Sequence, residues 1–213
     1  YMKNSTKKFI KFAIEQDILK FGEFKTKAGR LSPYFFNLGL INDGQSLKKI
    51  GEFFAEFIHN NNLSFDLLYG PAYKGISLVS STSIALTQFN KNIPFAFNRK
   101  EIKDHGEGGN IIGTDPCGDV MIIDDVLSAG TAARESIHLI ESLKANAKLF
   151  VVGLDRQEKG AGTISAKAEL ERDFDIVVES IVNLDALIQF SKHSEHFHAY
   201  QIQLQEYRET WGA

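Results

Sequence analysis

The sequence predicts an α/β domain: a mostly parallel, twisted sheet flanked by helices, with a small N-terminal hood. Three observations carry this. From about Phe65 onward, short apolar runs alternate with longer amphipathic stretches, the signature of βαβ units feeding a parallel sheet. Before that point, Gly and Pro punctuate aromatic runs in a way that suggests antiparallel strands. The chain has 213 residues, 43% of them hydrophobic, which is enough for one well-cored domain and marginal for two. One domain over residues 2–213 is therefore expected, with residues 2–45 supplying the hood and Tyr1, ahead of Met2, left out as an addition.

An amphipathic helix is expected over residues 5–18, with Phe9 and Ala13 on its apolar stripe. "FGEFKTKAGRLSPYFFNLGLI" (21–41) supplies the antiparallel strands of the hood. Strands of the main sheet are expected at "FDLLY" (65–69), "IPFAF" (93–97), "VMII" (120–123), "LFVVGL" (149–154) and "IVVESIV" (176–182). Helices are expected near residues 77–89, 131–144 and 165–172, and a helical tail at 191–213 carries no motif. Residues 98–114, "NRKEIKDHGEGGNIIGT", interrupt the alternation with both signs of charge and Gly106, Gly108 and Gly109. A charged, Gly-rich segment of this length is a lid over a site or a solvated surface loop.

Composition narrows the function. A net charge of −3 and a pI near 6.1 give no basic footprint for nucleic acid. Cys117 alone makes no internal disulfide, and no apolar run approaches the about 18 residues of a membrane span, so a soluble protein of the reducing cytoplasm is expected.

The chemistry concentrates in "VMIIDDVLSAGTAARES" (120–136). An apolar strand runs into Asp124 and Asp125, then into a small-residue turn ahead of a helix. At the carboxyl end of a parallel strand such a turn can offer backbone N–H groups to an anion, with Gly130 permitting close approach and Ser128 and Thr131 adding hydroxyls. The two carboxylates would repel that anion; they call for hydroxyl donors or a cation such as Mg²⁺. A phosphorylated sugar meets both demands, although an acidic pair at an exposed strand end is also commonplace.

"VMIIDDVLSAGTA" resembles the phosphoribosyl-pyrophosphate signature of the type I phosphoribosyltransferases. Within that superfamily, "FGEFKTKAGRLSPYFFN" (21–37), "FDLLYGPAYKGI" (65–76), "FNRKEIKDHGEGG" (97–109) and "LDRQEKG" (154–160) resemble the family that acts on orotate. The likeness runs from about Phe21 to Arg172 in matching order; Ser128 stands where the family commonly has threonine. The resemblance implies transfer of the 5-phosphoribosyl group of 5-phosphoribosyl 1-diphosphate to orotate, giving orotidine 5′-monophosphate and diphosphate for pyrimidine (UMP) synthesis. It also implies a homodimer whose lid enters the neighbouring subunit's site, and Mg²⁺ held mainly by substrate and water close to Asp124 and Asp125. Two other readings stay open: a phosphoribosyltransferase for another base, and a non-catalytic regulator of the same fold that senses phosphoribosyl-pyrophosphate.

On this resemblance Asp124 and Asp125 serve the ribose, and Val126, Leu127, Ser128, Ala129, Gly130, Thr131 and Ala132 cradle the 5′-phosphate. Tyr73 and Lys74, with Lys27 from the hood and Arg99, Lys100, Lys103 and His105 from the lid, face the pyrophosphate; Lys103 and His105 join the acids as catalytic candidates. Phe35, Phe36, Ser128 and Arg156 contact orotate. Taken singly, each has a plainer reading: a solvated lysine in a Gly-Pro turn, a surface histidine, core phenylalanines, and an Arg156 ion pair with Asp155 or Glu158.

Overall fold

The computed structural model describes residues 2–26, 29–101 and 110–213. Helix α1 (Asn4–Glu15) leads into strands β1 (Leu19–Lys25) and β2 (Leu31–Phe36), which pair antiparallel as a separate two-stranded sheet. Then follow α2 (Gly44–Asn60), β3 (Leu67–Gly70), α3 (Lys74–Leu86), β4 (Phe95–Asn98), β5 (Ile111–Gly113), β6 (Asp119–Leu127) and α4 (Thr131–Ser142). The chain closes with β7 (Asn146–Asp155), α5 (Ala166–Phe174), β8 (Val177–Asn183), α6 (Leu184–Lys192) and α7 (Gln201–Trp211). The main sheet has six strands in the order β5-β4-β3-β6-β7-β8, parallel except for β5.

The strands are apolar on both faces because both faces are covered. On β6, Met121 and Ile123 join the core built with α1, α2, α3 and α6, while Val120 and Ile122 join the core under α4 and α5. Side chains alternate across a strand, so a run buried on both sides reads as continuously hydrophobic. The α/β expectation therefore holds, and the five expected strands and three expected helices all form.

Three differences have local causes. The first helix ends at Glu15, short of residue 18, because Asp17 takes a left-handed backbone (φ 59°) that turns the chain toward β1. Helix α2 was not anticipated, although Leu47, Ile50, Phe53, Phe54, Phe57 and Ile58 repeat at helical spacing; the Asp43 carboxylate accepts from the Gln45 and Ser46 amides at 2.9 Å and caps it. Strand β5 lies inside the expected loop of residues 98–114, a short antiparallel edge on β4 whose Asn98–Ile111 pairing closes the base of that segment. Residues 102–109 of the expected lid, including Lys103 and His105, lie outside the described residues, as does Lys27.

Candidate active site

Strands β4, β3, β6 and β7 run parallel, so their carboxyl ends share one edge of the sheet. The connections leave in opposite directions on either side of β3 and β6, which is where open α/β sheets leave a crevice for ligand.

The two acids come at the end of β6. Asp125 is buried (4% exposed) and Asp124 half-buried; the Asp125 amide donates to Asp124 Oδ1 at 2.8 Å. Asp125 is neutralised by Lys74, the first residue of α3, whose Nζ stands 2.6 Å from Asp125 Oδ2. Asp124 has no such partner among the described residues. Loss of water, then the neighbouring Asp125 charge, push its carboxyl up to about 7. The Tyr69 phenol of β3 is buried without a hydrogen-bond partner among the described residues, and burial followed by the Asp124 charge pushes it well above its usual range. The pair of acids is thus held in an unfavourable charge state that donors or a cation would relieve.

Immediately beyond, Val126 and Leu127 still pair with Leu154 and Asp155 of β7, and the open turn begins at Ser128. Gly130 has a left-handed backbone (φ 85°) and no side chain caps α4, so the first amides of that helix point outward from Thr131 and Ala132. Ala129, Thr131 and Ala132 are exposed. An uncapped helix start fed by a small-residue turn is an anion site by the same physics that makes capping stabilising.

The turn after β3 supplies the facing wall. A Cβ on Gly70 would collide with the Gly75 carbonyl, so the turn from strand to α3 closes only with glycine there. The Ala72 amide donates to Asn98 Oδ1 at 2.8 Å, tying this turn to the end of β4. Tyr73 is exposed, and Lys100 Nζ lies 5.2 Å above its ring; Arg99, half-buried, donates its amide to the Asn110 carbonyl at 2.8 Å. The described start of the expected lid therefore brings Lys100 alongside Tyr73.

Arg156 follows β7, its amide bonded to the Leu127 carbonyl at 3.0 Å. The guanidinium is buried (8% exposed) and lies 4.4 Å over the Tyr34 ring. Nε donates to Glu158 Oε1 at 2.6 Å; Nη2 donates to Ser32 Oγ at 3.0 Å and to the Tyr207 hydroxyl at 2.7 Å. Of the two ion pairs foreseen for it, the one with Glu158 forms. Ser128 Oγ also donates to Glu158, at Oε2, 3.1 Å away. The phenylalanines divide, as neighbours on a strand must: the Phe36 ring enters the core, whereas Phe35 is half-exposed against Phe24. Their rings do not share one face.

Sequence reading had no means of finding Ser32, Tyr207 or Arg30 at this place, since each meets Arg156 or Glu158 from a distant part of the chain. Among the described residues no group of three or more His, Cys, Asp or Glu side chains is arranged to hold a metal ion. The hard oxygen pair at Asp124 and Asp125 nevertheless suits Mg²⁺ that keeps most of its water.

An acid pair beside an uncapped helix start, at the switch point of a parallel sheet, is an arrangement suited to a phosphorylated sugar. A family model of the phosphoribosyl transferase domain matches residues 38–180, and the chain belongs to that family. An orotate phosphoribosyltransferase of Thiobacillus denitrificans is 50% identical over 204 residues, covering 96% of either chain. One of Shewanella oneidensis is 46% identical over 212 residues, covering 99% of both. The solved structure of orotate phosphoribosyltransferase from Francisella tularensis matches with a TM-score of 0.84 at 38% identity, over 97% of this chain and 100% of that one. The activity is orotate phosphoribosyl transfer, a pentosyltransferase reaction, as the resemblance in the sequence implied.

Proposed function

We propose that the shared carboxyl edge of β3, β4, β6 and β7 carries out this transfer, with Asp124 and Asp125 receiving the ribose hydroxyls and the turn from Val126 to Ala132 receiving the 5′-phosphate. The observation that supports it most is the succession along one strand of an acid pair and an uncapped helix start. As the bond from the anomeric carbon to pyrophosphate breaks, positive charge develops on the ribose and negative charge on the leaving group. Asp124 and Asp125 face the first; Tyr73, Lys74, Arg99 and Lys100, with Lys27, Lys103 and His105, neutralise the second. Lys74 is poised for this, since the cation it lends Asp125 at rest can be shared with an arriving anion.

Mg²⁺ bound with pyrophosphate near Asp124 and Asp125 would supply further charge neutralisation at the leaving group. Orotate lies between the β2 segment at Phe35 and Phe36, Ser128, and Arg156, whose Nη1 can donate to a carboxylate or carbonyl oxygen. The family resemblance supports a homodimer in which the lid of one subunit closes on the site of the other. Among the described residues no helix is long and apolar enough to cross a membrane. The unpaired Cys117 and the small ionic substrates support a cytoplasmic location.

Initial rates test this directly. Orotate should disappear only when 5-phosphoribosyl 1-diphosphate and Mg²⁺ are both present, and uracil or adenine should not replace it. Equal turnover of those bases would contradict the orotate assignment at Arg156.

A further inference from the structure

The five N–H groups of Arg156 are unequally engaged. Nε is taken by Glu158, and Nη2 by Ser32 and Tyr207, while Nη1 makes no hydrogen bond among the described residues. The plane of the guanidinium is held by the Tyr34 ring on one face, and Tyr207 stands at 5.5 Å. The Tyr207 hydroxyl both accepts from Arg156 Nη2 and donates to Glu158 Oε1, so the phenol closes a ring of bonds around the fork.

Glu158 is the other half of that ring. It is 3% exposed and accepts from four donors: Arg156 and Tyr207 at Oε1, Arg30 at 3.1 Å and Ser128 at 3.1 Å at Oε2. Burial works against its charge, but the Arg156 guanidinium and the bonds from Tyr207, Arg156 and Ser128 outweigh it and hold the carboxyl below the usual range. The end of α7 is fastened to the backbone on either side of Glu158: the Lys159 amide donates to the Trp211 carbonyl at 3.0 Å, and the Ala213 amide to the Gln157 carbonyl at 3.2 Å. Tyr207 is thereby tied to residues some fifty positions earlier.

From this geometry we propose that Tyr207 of the C-terminal helix, acting with Glu158, is a positioning residue for the pyrimidine site, holding Arg156 with Nη1 free to meet the planar acid. The inference rests on the reading of Arg156 as the orotate-facing cation. A planar fork fixed at Nε and Nη2 presents its remaining limb in one direction; with the Tyr207 bond lost, Nη2 keeps only Ser32 and that direction is less firmly set. Because Ser128 shares Glu158, the same carboxylate orients a hydroxyl of the signature turn, linking the pyrimidine and phosphoribosyl subsites through one buried group.

The test is steady-state kinetics of Tyr207→Phe, Arg156→Lys and the double variant, with folding checked by thermal melting. Phenylalanine keeps the ring against Tyr34 and removes only the hydroxyl. Tyr207→Phe should raise KM for orotate by roughly 3–10-fold, on the scale of a lost charge-assisted hydrogen bond acting at one remove, with KM for 5-phosphoribosyl 1-diphosphate changed less than about twofold. In the Arg156→Lys background the same change should add less than about twofold, since a residue acting through Arg156 has nothing left to orient. Equal effects on both substrates, or an orotate effect that adds in full to that of Arg156→Lys, would overturn the positioning role while leaving Arg156 in place. An unchanged KM for orotate in Arg156→Lys itself would overturn the Arg156 reading and this inference with it.

Discussion

Asp124 carries the sharpest consequence at the scale of a single residue. Its carboxyl is raised to about 7, first by burial and then by Asp125, against an ordinary value near 4. A carboxyl raised by folding is protonated in the folded chain while still ionised in the unfolded one, over the window from about 4 to about 7. Within that window the folded state binds more protons, so stability falls as pH rises; above it the full cost of the buried charge remains. Asp124→Asn keeps the oxygen that accepts from the Asp125 amide and removes the charge. We expect the variant to melt higher than the parent at pH 8, by about 2–4 °C, and the difference to shrink toward pH 5. Melting curves at the two pH values, without substrates, measure it; a difference independent of pH would mean that Asp124 is not strained in the resting site.

Among the elements, the β6 to α4 connection is the most constrained. Gly130 adopts φ 85°, where an L side chain is disfavoured, although a Cβ there would meet its neighbours only at ordinary contact distance (nearest atom 3.6 Å). Gly130→Ala should therefore act through the backbone, costing about 1–2 kcal/mol and raising KM for 5-phosphoribosyl 1-diphosphate more than that for orotate. Kinetics with each substrate varied in turn decides it, and a larger effect on orotate would place the phosphate elsewhere. This element was legible in the sequence because its parts are contiguous: apolar run, acids, small turn, helix. Helix α2 carried an equally clear repeat, from Leu47 to Ile58, but adjoined the aromatic hood segment and no chemical motif drew notice to it. Strand β5 is three residues long, with Gly113 as its last residue and Gly109 two positions before its first, so nothing in its composition separates it from a loop. The surroundings of Arg156 were not legible at all beyond Glu158, since Ser32 and Tyr207 are brought to it by tertiary packing across 124 and 51 positions.

For the whole molecule, the proposed homodimer with a shared lid admits a complementation test. Lys103→Ala and Asp125→Asn should each be nearly inactive as homodimers. If the lid acts on the partner's site, subunit exchange places both lesions in one site of each heterodimer and leaves the other normal, so activity should return to roughly a quarter of the parent. No rescue, with exchange confirmed by mass, would retire the shared site and leave the residue assignments standing. The end of β6 is where charge is proposed to develop in the reaction. The most direct measurement of this is kcat for Asp124→Asn and Asp125→Asn at saturating orotate, 5-phosphoribosyl 1-diphosphate and Mg²⁺, with folding verified. Turnover should fall by about 10²-fold or more in each, because the interaction removed is stronger in the transition state than in the ground state; turnover close to that of the parent in both would contradict the account.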